Sequence, residues 1–226
     1  MQSIDLIIAP DSCIRLAGYT AAAAKGLPEA ELVQSWHAAA AQQPKGFLYR
    51  ELCAAMPDWN RQIESEIQVP NPYVYLDYAV LQTADAAAAL NDPAVPDLVE
   101  HYGVFLNLGN GPAAAQAQLF LFNLFSVNGP PELVDSFAAA WVPRGQFQAQ
   151  QPGFGSALLH RSIDPAAPFA AFNRAKWRDV AHYAATLPEF ERTFPRAQRM
   201  RSESAGPPPV RSHLGLFRRI AVVTAR

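Results

Sequence analysis

His160, Asn173, Trp177 and Tyr183 are the residues of this chain whose types and spacing could carry chemistry. An imidazole can move a proton near neutral pH. An amide and an indole N–H can donate hydrogen bonds to a developing negative charge, and a phenol can give or take one. In an alternating strand Ser156, Leu158 and His160 share a face; in the next, Asn173, Ala175 and Trp177 share one. If residues 161–166 turn a hairpin, His160 and Asn173 are expected on the same sheet face, although the sequence leaves that register open. Tyr183 follows in the next helix, so all four are expected to line one cavity.

Each of the four also has a purely structural reading. A lone strand histidine is often a satisfied or half-exposed group, a tryptophan at a strand–helix junction packs well in a core, and a helical tyrosine can keep its hydroxyl in water. Asn173 is harder to dismiss, because asparagine is depleted in strands. The matching positions of the first half are Cys53, Asp77, Leu81 and Ala87, so the set belongs to one half only.

The elements that must position these residues repeat over roughly 100 residues. In the first half, Ser3–Pro10 reads as a strand and Gly18–Lys25 as an Ala-rich stretch. Pro28–Gln43 reads as a helix, Gly46–Cys53 and Tyr73–Val80 as strands, Thr83–Leu90 as a helix and Tyr102–Leu108 as a strand. In the second half, Gln116–Val127 reads as a strand and Pro130–Val142 as a helix stopped at Pro143. Gly153–His160 and Ala167–Trp177 read as strands, Asp179–Thr186 and Glu189–Arg199 as helices, Ser202–Pro209 as a loop and Arg211–Val223 as the last strand. Each half is β-α-β-β-α-β. The expected fold class is therefore α+β: two tandem ferredoxin-like repeats, 1–112 and 113–226, packed on each other as an intrachain barrel. Gly109–Ala115 is the expected boundary.

Composition is that of a globular protein, with half the residues hydrophobic and 17% charged. Apolar runs such as Leu119–Phe125 are too short to cross a bilayer. Met1–Pro10 lacks a basic stretch before its apolar run and reads as a strand, not a signal peptide; a cytoplasmic setting is the default. Cys13 and Cys53 make neither a disulfide framework nor a metal motif. Residues 1–112 hold five Lys/Arg against 13 Asp/Glu, and residues 113–226 hold 13 against seven. The halves either attract each other across an interface or differ only by surface drift. The basic residues form no nucleic-acid-binding motif.

Two stretches, QPGFGSALLHRS (Gln151–Ser162) and FNRAKWRDVAHYAATLPEF (Phe172–Phe190), resemble the antibiotic biosynthesis monooxygenase superfamily of dimeric α/β-barrels. The PGF-strand-His step and the N-x-x-x-W-x-x-x-x-x-Y spacing are similar to its enzymes that oxidise polyketide anthrones to quinones without a cofactor. The resemblance implies a small, flat, aromatic substrate and O2 as partners, and no metal or other cofactor. It implies catalytic roles for His160, Asn173, Trp177 and Tyr183, and substrate contacts from Asn123, Phe172 and Arg196. Other members degrade haem. Asn123 is similar to an asparagine of theirs, but Arg196 stands where they carry the iron-binding histidine, and His182 is at another register. Family barrels usually form from two identical chains; here two fused copies are expected to form one, with further homodimerisation open. The same scaffold also admits a non-catalytic ligand-binding barrel or an isomerase or cyclase.

Overall fold

Runs rich in aromatic and β-branched residues fold as strands here because both of their faces find cover. The computed structural model describes residues 11–24, 28–62, 69–130, 132–195 and 210–225. The first half contains strand β1 (Cys13–Thr20), helix α1 (Glu29–Ala40), β2 (Phe47–Ala55), α2 (Pro57–Gln62), β3 (Val69–Pro70), β4 (Tyr73–Leu81), α3 (Ala84–Ala88) and β5 (Leu98–Asn110). After a 3-10 turn at Ala114–Gln116 come β6 (Leu119–Val127), α4 (Glu132–Ala149), β7 (Phe154–Ser162), β8 (Ala171–Trp177), α5 (Val180–Thr193) and β9 (Val210–Thr224).

The strands form one sheet in the order β2-β4-β1-β5-β7-β8-β6-β9-β3, and a further β2–β9 pairing closes the first eight into a barrel. All eight pair antiparallel. Among the described strands only the two-residue β3 runs parallel, against β9. Each half supplies four strands in the same internal order, so the β5–β7 and β2–β9 seams are equivalent. Closure removes every edge except the one β3 occupies.

One face of the closed sheet points inward. There Ile14, Leu16, Tyr78 and Tyr102 of the first half meet Phe120, Phe122, Phe172 and Phe217 of the second in a single buried cluster. A polar group crosses this interior. Arg174 of β8 donates Nε and Nη2 to Glu51 Oε1 of β2 at 2.7 and 2.5 Å, with both side chains fully buried. The Tyr49 hydroxyl donates to the same carboxylate, and burial, then the Glu51 charge, push that phenol's pKa well up. The Arg174 guanidinium lies 4.6 Å from the Tyr78 ring centroid and 5.4 Å from that of Phe120.

The outer faces carry the helices. Leu32, Trp36 and Ala40 of α1 cover Leu52 and Ala221, and α3 covers Cys13, Ala79 and Leu81. Helices α4 and α5 cover the second half.

Several expectations are corrected. The described first strand is Cys13–Thr20, where an Ala-rich stretch from Gly18 was expected; Ser3–Pro10 lies outside the described residues, as do Arg196 and Ser202–Pro209. Pro143 does not stop α4, and α5 runs through Pro188 instead of dividing before Glu189. An interior proline costs a helix roughly 3 kcal/mol. Burial of Trp141 and Gly145 on either side of Pro143, and of Phe190 beyond Pro188, offsets it. Between β5 and β6, the Gly111 and Ala113 N–H groups donate to the Gly155 and Phe154 carbonyls at 2.7 and 2.8 Å.

Candidate functional site

All seven residues of β8 are buried. Its side chains alternate between the barrel interior and the layer beneath α4 and α5. Phe172 and Arg174 point inward, and Ala171, Ala175 and Trp177 point to the helices. Asn173 shares the parity of the second set, opposite Leu159 of β7 and Asn123 of β6.

That alternation divides the four sequence candidates. His160 pairs with Phe172, not with Asn173. Its ring stacks on Phe172 with centroids 4.1 Å apart and planes 8° from parallel. Its Nε2 lies 3.2 Å from the Tyr78 hydroxyl and its Nδ1 3.3 Å from the Phe172 carbonyl. His160 and Phe172 therefore stand in the barrel interior, on the opposite face from Asn173, and the expected shared face is corrected by one residue of register.

Trp177 and Tyr183 are brought together, and Asn173 shares their sheet face four residues back along β8. The Trp177 and Tyr183 ring centroids are 5.2 Å apart, and Phe154 of the PGF motif packs edge-on to Trp177 at 5.6 Å. Asn123 stands directly across from Asn173 and accepts a hydrogen bond from Ser212 Oγ at 2.7 Å. Arg196 lies outside the described residues.

Two side-chain atoms of β8 have no hydrogen-bond partner among the described residues: Asn173 Oδ1 and Trp177 Nε1. Asn173 is 4% exposed and Trp177 fully buried. An unmet buried polar atom costs roughly 1–3 kcal/mol, so each of the two calls for a partner such as an ordered water or a bound molecule. Together they offer one donor, the indole N–H, and one acceptor, the amide oxygen. A cleft of about 280 Å³ opens at the other end of β8, lined by Val127, Val134, Arg161, Ile163 and Ala170. Arg161 there is held by Asp135 at 2.5 Å.

Two local devices set α5, which carries Tyr183. Asp179 caps its first turn, accepting from the His182 N–H at 2.9 Å. Slight desolvation works against the carboxylate, but the His182 backbone and side-chain hydrogen bonds hold its pKa below the usual range. A carboxylate with a depressed folded pKa stabilises above its unfolded pKa, and the cap is lost as pH falls through the folded value. Asp179→Ala is expected to cost about 1 kcal/mol at neutral pH, and the difference from wild type to vanish in strong acid; urea titrations at both pH values check this. Gly153 is the second device. A Cβ there would lie 2.2 Å from His182 Cβ. Gly153→Ala is expected to push α5 off the sheet and cost about 1–3 kcal/mol, read as a lower thermal midpoint and a changed Trp177 fluorescence.

Sequence reasoning missed one contributor. Trp59, on α2 of the first half, packs against the cluster that contains Trp177 and Tyr183. Its placement comes from the Met56 N–H bonding the Leu216 carbonyl at 2.8 Å, a contact across the β2–β9 seam. No periodicity marks a lone tryptophan in a short helix.

The first half's counterparts occupy equivalent faces with other contents. Cys53 is in the barrel interior, as His160 is. Asp77 is tied to Arg50 and to Trp36 Nε1, and Leu81 and Ala87 are plain core.

The described residues offer no group of three or more His, Cys, Asp and Glu side chains that could hold a metal ion. On α5, both ring nitrogens of His182 are engaged, by Asp179 at 2.8 Å and Arg178 at 3.0 Å, so it does not fit as a haem ligand. No helix among the described residues is long and apolar enough to cross a membrane.

No protein-family model and no curated protein matches the sequence. Solved structures do match in fold. An anthrone oxidase-like protein superposes with a TM-score of 0.60 at 12% identity, covering 94% of this chain and 92% of its own. A putative monooxygenase from Lactobacillus acidophilus gives 0.54 at 11%, covering 95% and 96%. A chlorite dismutase from Candidatus Nitrospira defluvii gives 0.54 at 10%, covering 96% and 95%. The chain thus has the α+β barrel fold of these proteins, over nearly its whole length and theirs.

Proposed function

We propose that this chain is a fused member of the antibiotic biosynthesis monooxygenase superfamily. In this reading residues 1–112 and 113–226 are copies of one ferredoxin-like unit, and the second copy keeps a cofactor-free oxygenase pocket for a flat, phenolic, anthrone-type substrate. The observation that carries the reading is the pair of unmet buried atoms on β8, Asn173 Oδ1 and Trp177 Nε1. The chemistry of each fits a phenolic ketone: the amide oxygen can accept from its O–H, and the indole N–H can donate to its ketone oxygen. The anthrone oxidase-like and monooxygenase neighbours support the scaffold.

Triplet oxygen reacts poorly with closed-shell molecules, so the substrate itself must supply an electron. An anthrone does so once its methylene loses a proton. Trp177 Nε1–H stabilises the enolate oxygen that results, Asn173 orients the ring, and Tyr183 relays the proton outward. His160, on β7 and facing the barrel interior, takes no part in that relay and holds Phe172 in place. One electron passes to O2, the two radicals combine at the former methylene carbon, and the peroxide loses water to leave a quinone carbonyl. Anthrone plus O2 gives anthraquinone plus water, with one oxygen atom retained.

Turnover of dithranol under ¹⁸O2 tests this. One labelled oxygen per quinone, formed with one O2 consumed, is expected. Anaerobic turnover, or label entering only from water, contradicts it.

A further inference from the structure

The layer between the first half's sheet and its helices holds a second set of unmet buried atoms. On β1 the side chains of Ile14 and Leu16 enter the barrel, while Cys13 packs under α3. Arg15 and Tyr19 therefore share the helix-facing side with Cys13. Arg15 Nη1, the Tyr19 hydroxyl and His101 Nε2 have no partner among the described residues. Arg15 is 3% and Tyr19 1% exposed. His101 lies directly across from Arg15 on β5. The charges of Asp77, Asp92, Arg50 and Arg15 all act on the Tyr19 hydroxyl, which places the group in one neighbourhood.

The fixed charges of this layer are already matched. Arg15 Nη2 donates to Asp92 at 2.6 Å. Arg50 donates to Asp77 through Nε and Nη2, and to the Asn91 carbonyl at 2.9 Å. Two guanidinium groups face two carboxylates, so an incoming anion would meet Asp77 and Asp92 without a spare cation. A guanidinium N–H can only donate, and a phenol can donate beside it. The guest they fit is uncharged and presents an acceptor oxygen. Space exists at the rim: a Cβ on Gly103, next to His101 on the same strand face, would meet nothing within 4 Å.

We propose that the first half binds a small uncharged carbonyl compound, its oxygen held by Arg15 Nη1 and the Tyr19 hydroxyl, with His101 at the mouth beside Gly103. This site is separate from the one on β8 and has a different chemistry, donor-rich where the other offers one donor and one acceptor.

The test titrates the full chain, carrying ¹³Cζ-tyrosine, with acetamide, cyclohexanone and, as the charged control, acetate. The Tyr19 resonance is identified by its loss in Tyr19→Phe. A saturable shift of that resonance with a neutral probe is expected in the unsubstituted chain, and ligand-observed saturation-transfer NMR, which needs no tyrosine signal, is expected to show binding about tenfold weaker in Tyr19→Phe, the loss of one hydrogen bond. No saturable shift with either neutral probe overturns the proposal, as does equal binding by Tyr19→Phe or tighter binding of acetate. Crystals of the unsubstituted protein soaked in cyclohexanone give an independent reading. Ketone density at Arg15 Nη1 and Tyr19 supports the site, and ordered water alone overturns it.

Discussion

Arg174→Ala is expected to destabilise the protein by about 3–5 kcal/mol, the cost of leaving a buried partner charge uncompensated. Arg174 and Glu51 are separated by 123 positions and come from different halves, and neither side chain is exposed. Without the guanidinium, the Glu51 carboxylate keeps the Tyr49 hydroxyl and a distant Arg219 nitrogen at 3.8 Å. Neither replaces a two-nitrogen donor. The flat faces of Tyr78 and Phe120 also lose a cation, worth about 0.5–2 kcal/mol where desolvated. The double variant Glu51→Leu/Arg174→Met is expected to recover most of the loss, because an apolar pair of similar volume avoids the desolvation penalty. Urea unfolding of the three proteins measures this. A single variant that costs under about 1 kcal/mol would mean water already screens the pair, a value typical of exposed ion pairs.

Trp177→Phe and Asn173→Ala are expected to lower dithranol oxidation by about 10²–10³-fold each, the loss seen when one preorganised donor is removed. Stability is expected to fall far less than the rate does. The indole N–H has no partner to lose, so Trp177→Phe forfeits packing alone, a large-to-small core change that costs roughly 1–3 kcal/mol. This split separates a site from a core. A merely structural Trp177 predicts unchanged turnover. His160→Phe is the contrasting variant: its ring is stacked and sealed on the barrel side, so its effect is expected on the thermal midpoint more than on the rate.

Much of this architecture was legible in the chain. Alternation located most of the strands, and the PGF motif marked β7, where Gly153 makes room for α5. The contrast in charge between the halves is realised across their contacts: Arg174 and Arg219 reach Glu51, and Arg218 reaches Glu29. What was not legible depends on long-range contacts. The faces of His160 and Asn173 turn on a single residue of register, which only the β7–β8 pairing sets. Pro143 and Pro188 carry local stop signals that burial against the sheet overrides. Cys13–Thr20 is broken by Gly18 and reads weakly, yet it is central to the first half because β4 and β5 pair on its two sides. Trp59 could not be assigned to the second half's site until the β2–β9 seam was known.

The central claim is that the layer under α4 and α5 oxidises a phenolic ketone with O2 through Asn173 and Trp177. Oxygen uptake by chelator-treated protein with dithranol, beside the Asn173→Ala/Trp177→Phe variant, tests it most directly. Uptake well above the spontaneous rate is expected for the wild type, and uptake near that rate for the folded variant. Equal uptake by both proteins, or none above background in either, would contradict it.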